Sequence, residues 1–137
     1  MTNYGQFHDG SFEGLWIDGK IAHLFLATED LQRFVIVAEG VSALAANGFK
    51  AGNILFEVLT RSAAEVTLRD IHSLYELQAG SSGEIQGANL LKNIHLEKQE
   101  ILEVNPSYGA SCIVLADSYD LLRRGEWVER YVVNVAR

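Results

Sequence analysis

Residues 11–28 read SFEGLWIDGKIAHLFLAT, two apolar runs around Asp18-Gly19. Aspartate-glycine supplies the positive φ that a type I′ turn needs, so the stretch predicts a β-hairpin. Residues 31–38, LQRFVIVA, form a third such run, and a β-meander therefore begins almost at the first residue. With Asp18-Gly19 at the turn, Ile17 faces Lys20, Trp16 faces Ile21, Gly14 faces His23 and Phe12 faces Phe25. One sheet face then carries Phe12, Trp16, Ile21 and Phe25, joined by Phe34 and Ile36 if Glu29-Asp30 is also a tight turn. The other carries Leu15, Ala22, Leu24, Leu26, Val35 and Val37. A slip of one residue would invert both sets. Both faces are apolar, whereas a half-solvated sheet alternates apolar with polar. Cover is therefore expected on both, from helix on one side and from more sheet or a second subunit on the other.

Outward from the meander, residues 39–51 predict a connection with a helical turn at 41–46, ended by Asn47-Gly48. Residues 54–60 predict a fourth strand. Residues 62–78 are the best helix candidate, with Leu68, Ile71, Leu74, Tyr75 and Gln78 on one stripe and Thr67 or Ser62 as cap. The Gly/Ser-rich stretch 79–89 predicts a surface loop. Residues 90–104 predict two short strands around Lys98-Gln99. Asn105-Pro106-Ser107-Tyr108-Gly109 predicts a turn, 111–116 a strand, 118–124 one or two helical turns, and 127–135 a closing strand. The expectation is one α+β domain over 1–137, mainly antiparallel sheet, with an N-terminal β-meander and one principal helix.

The chain has 137 residues, 48% of them hydrophobic and 21% charged, a globular balance that can bury a core. Net charge is −7, and the basic footprint of a strong nucleic-acid binder is missing. The one cysteine, Cys112, lies in the apolar run 112–116 and reads as a small buried hydrophobe. Residues 1–6 lack signal-peptide regions, and no apolar run approaches the ~20 residues of a membrane span. The expectation is a soluble cytoplasmic protein.

Five constellations could carry chemistry. His8-Asp9 suggests paired ligands of phosphohydrolases, but adjacent strand residues point apart, and a turn at Asp9-Gly10 with His8 filling an edge explains the pair better. His8, His23, His72 and His95 lack the spacing of a zinc motif, so no metal and no cofactor is expected. Ser107-Tyr108-Gly109 has no nucleophile elbow around it. Asp117 and Asp120 suit helix capping. Glu97, Glu100 and Glu103 form an acidic row in sequence, either a solvated face or a surface for a basic protein.

Phe7-His8-Asp9-Gly10 before a strand, Glu39-Gly40-Val41, Phe49 with Gly52-Asn53-Ile54, and Pro106-Ser107-Tyr108-Gly109-Ala110 form a pattern over most of the chain. It resembles small bacterial proteins of unassigned function, some similar to immunity proteins of polymorphic toxin systems. The resemblance implies a non-enzymatic cytoplasmic protein that binds another protein. It carries over no functional residue. The leading expectation is a protein-binding module that blocks a basic toxin, without nucleic acid or membrane as partner, and with a homodimer possible. The alternative is a small enzyme or small-molecule binder using His8, Asp9 and Tyr108 in a sheet-end pocket.

Overall fold

In the computed structural model, residues 1–133 are described. Nine strands form one antiparallel sheet: β1 (Thr2–Asn3), β2 (Ser11–Asp18), β3 (Ile21–Ala27), β4 (Arg33–Glu39), β5 (Ala43–Asn47), β6 (Ile54–Arg61), β7 (Glu100–Tyr108), β8 (Ser111–Ala116) and β9 (Ser118–Arg123). Three α-helices accompany it: α1 (Leu68–Leu74), α2 (Ser81–Glu97) and α3 (Arg124–Val128), the last continuing as a π-helical turn over Glu129–Val133. The spatial order is β5-β8-β7-β6-β2-β3-β4-β9, with β1 beside β6. The fold is α+β and mainly antiparallel, as expected, and none of the described helices is long and apolar enough to cross a membrane.

The sheet is rolled. Strands β2 and β6 meet through a Ser11–Ile54 pair, and the two halves of the sheet face each other across one core. Phe12, Leu24, Leu26 and Ile36 from one half meet Leu55, Leu102, Val104 and Val114 from the other, with Phe7 among them. The further sheet expected over one face is thus supplied by the same chain. On the outside, Val66, Ile71, Leu74 and Ile94 of the α1–α2 region pack on Ile101 and Leu115. Val35, Val37 and Leu122 are covered by Trp127 and Tyr131 on the C-terminal helical segment.

The hairpin exists, but its loop lies one residue further along, so each cross-strand partner moves by two and the Trp16 and Phe25 side chains keep a common face. Asp18 pairs with Ile21, Trp16 with His23 and Leu15 with Leu24, so Gly19-Lys20 forms the loop. Gly19 takes φ +60° while Lys20 does not take a positive φ, a pattern of type II′ and not I′. A bulge between Phe12 and Gly14 then turns Phe12 away from the Trp16 face to the inner one, opposite Leu26. The next loop spans 28–32, longer than a tight turn, and pairs Phe34 with Leu26 and Ile36 with Leu24. The expected aromatic face therefore splits. Phe12, Phe34 and Ile36 join Leu24 and Leu26 inside, while Trp16, Phe25, Val35 and Val37 lie outside with His23.

Further along, 43–47 is strand β5, not a helical turn, because it pairs with β8. Thr67 caps α1 as expected: its hydroxyl accepts from the Asp70 N–H, and its own N–H donates to the Asp70 carboxylate at 2.8 Å. The longest helix is α2, where a loop and a strand were expected. Lys98 ends it in the left-handed conformation, φ +57°, and the expected strand begins only at Glu100. Residues 105–108 continue β7 and are not a turn. Residues 118–123 form β9, and 127–133 are helical where strand was expected; the remainder of that expected strand lies outside the described residues.

Candidate functional site

Strand β6 gathers the N-terminal and late motifs at one end. The Asp9 N–H donates to the Leu55 carbonyl at 3.0 Å. Ile54 pairs with Tyr108 across the β6–β7 ladder. The His8 ring lies edge-on to Phe56, centroids 5.9 Å apart. Leu55 is buried, while its neighbours Ile54 and Phe56, at irregularities of the β6–β7 ladder, leave about half of each side chain in solvent, as does Tyr108. His8, Asp9 and Tyr108 are thus brought to one surface around an apolar cluster.

Hydrogen bonds hold that surface in place from beneath. Asn53 is buried, and its Oδ1 accepts from the Lys50 N–H at 2.8 Å and the Ala110 N–H at 3.0 Å. Its Nδ2 donates to the carbonyls of Lys50 and Phe12. One amide therefore ties the 50–53 loop, β2 and the β7–β8 turn together. Gly109 takes φ +90°, and a Cβ there would lie 2.4 Å from Asn53 Oδ1. Gly10 approaches the Ala27 carbonyl so closely that a Cβ would overlap it. The repeated Gly and Asn residues of the resemblance pattern thus have structural work in this chain.

Acidic groups lie on the His8 side of the cluster. Asp9 is exposed and its carboxylate lies 3.3 Å from His8 Nδ1. His8 lines two shallow depressions. One, of about 280 Å³, includes Phe56 and Glu57, and the other, of about 580 Å³, includes Glu29 and Asp30. Neither includes Asp9 or Tyr108. Among the described residues, no group of three or more His, Cys, Asp or Glu side chains is placed to hold a metal ion.

Glu97, Glu100 and Glu103 do not share one face. Glu97 ends α2, while Glu100 and Glu103, three apart on β7, point to opposite sides of the sheet. Glu103 is engaged by Arg61 Nε at 3.1 Å. The same guanidinium grips Asp70 with two bonds, 2.7 and 2.9 Å. Burial pushes the Asp70 carboxyl up, but Arg61 and the Thr67 N–H outweigh it and hold the group below its ordinary range. Asp117 accepts from Gln99, and Asp120 pairs with Arg130, so neither caps a helix as expected. His95 lies on α2, its Nε2 3.1 Å from the Val66 carbonyl.

Sequence reasoning did not find the cage around His23. This residue is buried on the outer face, stacked on Trp16 at 4.5 Å, with Trp127 and Tyr131 edge-on. The Trp127 indole N–H donates to His23 Nδ1 at 2.9 Å. Burial lowers the imidazole pKa, and the Asp18 charge only partly opposes this. The alternation of His23 with Ala22 and Leu24 was visible in sequence, but its partner lies 104 residues away.

Geometrically this is a rolled antiparallel α+β sheet presenting an aromatic surface with an acidic border, and no assembled catalytic set stands out at that surface. Comparison of the chain with protein-family models, curated proteins and solved structures finds no match.

Proposed function

We propose that the chain is a non-enzymatic protein-binding module that docks a basic partner on the surface formed by Ile54, Phe56, Tyr108 and His8. The observation that carries this reading is the exposure of three large apolar side chains on two adjacent, well-anchored strands. Solvated aromatics on a rigid frame lose little conformational entropy on docking, and aromatic residues dominate interface energetics. Asp9, Glu57, Glu29 and Asp30 lie on the His8 side of the cluster, and net charge −7 favours encounter with a positive partner. The resemblance to immunity proteins makes a basic toxin the partner, blocked by steric and electrostatic contact in the cytoplasm.

The alternative, chemistry by His8, Asp9 and Tyr108, is less well supported, because the depressions lined by His8 exclude the other two.

The test is capture from the native host's lysate, followed by binding kinetics. Wild-type protein is expected to retain a basic protein, and Phe56→Ala with Tyr108→Ala to lose at least ~100-fold in affinity, as two interface aromatics imply. The association rate should fall ~10-fold or more between about 50 and 500 mM salt. Undiminished binding by the double variant would overturn the assigned surface. Turnover of a small molecule without a protein partner would overturn the module reading, and self-association through the same residues would make the occupant a second copy.

A further inference from the structure

We propose that His23 is the catch of an acid-released latch, holding the C-terminal helical segment 124–133 on the outer sheet face only while its imidazole is neutral.

The argument begins with hydrogen-bond inventory. An indole nitrogen can donate and cannot accept. The 2.9 Å bond from Trp127 Nε1 therefore requires an unprotonated Nδ1 on His23. Protonation places an N–H on each side of that contact, and the bond becomes a clash of donors. The ring cannot easily turn away. Trp16 stacks on it at 4.5 Å and 18°, Tyr131 stands edge-on at 4.8 Å, and its strand neighbour across β4 is Val37. The surroundings offer the imidazolium little charge compensation. Asp18 on β2 is the carboxylate that favours the charged ring, and burial outweighs it. From α3, Arg124 is a like charge; it lies over Phe25 at 4.9 Å and reaches Glu13 at 3.6 Å. On the π-helical turn, Tyr131 faces the ring, and the exposed Arg130 turns to Asp120 of β9 at 3.2 Å.

The segment held by this catch is weakly anchored otherwise. Helix α3 has five residues, too few to persist alone. Its remaining ties are the bond from the Arg123 N–H to Glu126, the Arg124 contacts with Glu13 and Phe25, the exposed Arg130–Asp120 pair and aromatic packing. Loss of the Trp127–His23 bond frees it and uncovers Phe25, Val35, Val37 and Leu122. The sign follows from linkage. His23 binds protons less readily in the closed state than in the open one. Closure is complete above the ordinary imidazole value of 6.5 and weakens as pH falls from there toward the lower closed-state value.

Hydrogen exchange from about pH 8 to about pH 5, corrected for intrinsic rates, reads the latch directly. Protection in 124–133 is expected to fall about tenfold per pH unit below about 6.5, while β6 and β7 stay protected. His23→Asn keeps an acceptor near Nδ1 and cannot be protonated in this range, so its segment should stay protected throughout. Unchanged protection in the wild type, or equal loss in His23→Asn, would overturn the proposal. Should that variant fail to fold, NMR of the wild type decides. The Trp127 indole proton must shift with the His23 titration, and an indole signal indifferent to it removes the latch.

Discussion

At the residue scale, the molecule depends on a few polar groups buried to join distant segments. Asn53 serves four backbone partners on three segments. Asn53→Ala leaves the Lys50 and Ala110 N–H groups without their acceptor and should cost about 2–4 kcal/mol, at about 1–3 kcal/mol for each buried orphan and with partial relief by water. Urea unfolding measures this, and Asn53→Asp, which keeps the acceptor, should lose less. Phe12 and Phe25 separate in the same assay. Phe12 is enclosed on the inner face, and Phe12→Ala should cost about 3–5 kcal/mol. Phe25 is only half-buried under Trp127 and Arg124, so Phe25→Ala should cost clearly less. Equal losses would mean that the two aromatics share one environment after all.

At the element scale, helix α1 is short and depends on its first turn. Asp70 closes the capping box with Thr67 and receives both arms of Arg61. Asp70→Ala should cost about 2 kcal/mol, below the about 3–5 kcal/mol of a broken buried pair because Glu103 still partners Arg61. The carboxyl is depressed on folding, so its contribution is in place above the unfolded value of 3.8. It is lost as pH falls below that value through the folded one. Acid unfolding of wild type and variant should therefore converge at the low end. Helix α2 raises a different issue. Gly83 and Gly87, with Leu90, Leu91 and Ile94, form its buried side. A Cβ at Gly83 would overlap the Gln78 carbonyl. Alanine's helix propensity, worth about 1 kcal/mol over glycine, cannot offset a backbone clash. Gly83→Ala should thus lower the melting temperature; a rise would show that propensity dominates there.

At the scale of the whole molecule, one core unites both halves of the rolled sheet, and unfolding should be cooperative. Cys112 reports on it. The thiol is buried in that core, and burial pushes its pKa up to about 12. Thiol reagents need the thiolate and access to it. Labelling at about pH 8 should therefore occur only at the rate or equilibrium of global opening. Fast labelling of the native protein would mean that β8 opens on its own. The aromatic surface lies on β6 and β7 and shares no residue with the cage of Trp16, His23, Trp127 and Tyr131, so opening the latch should leave partner binding through Phe56 and Tyr108 intact.

Local pattern was enough to read the strands 11–18, 21–27, 33–39, 54–61 and 111–116, since period-two alternation and turn residues are properties of neighbours in the chain. The same holds for the burial of Cys112 and the Thr67 cap. Partnership across distance was not legible. Asp18-Gly19 marked the hairpin, but not which residues would occupy the loop, nor the bulge at the far end that turns Phe12 to the other face. The stretch 81–97 carried glycine and serine that favour loops in isolation. It became helix because its glycines allow close approach to the 77–78 turn and α1, a gain that exists only after packing. Residues 118–123 became strand because the edge of β4 was free to pair. For the candidate site, the motifs at 7–10, 53–54 and 106–110 were visible, yet their meeting on β6 needed the ladder. Sequence determined which segments want to be sheet and that both sheet faces must be hidden. Tertiary structure decided what hides them and which aromatics remain in solvent, because hydrogen-bond pairing and burial are settled between segments and not within them.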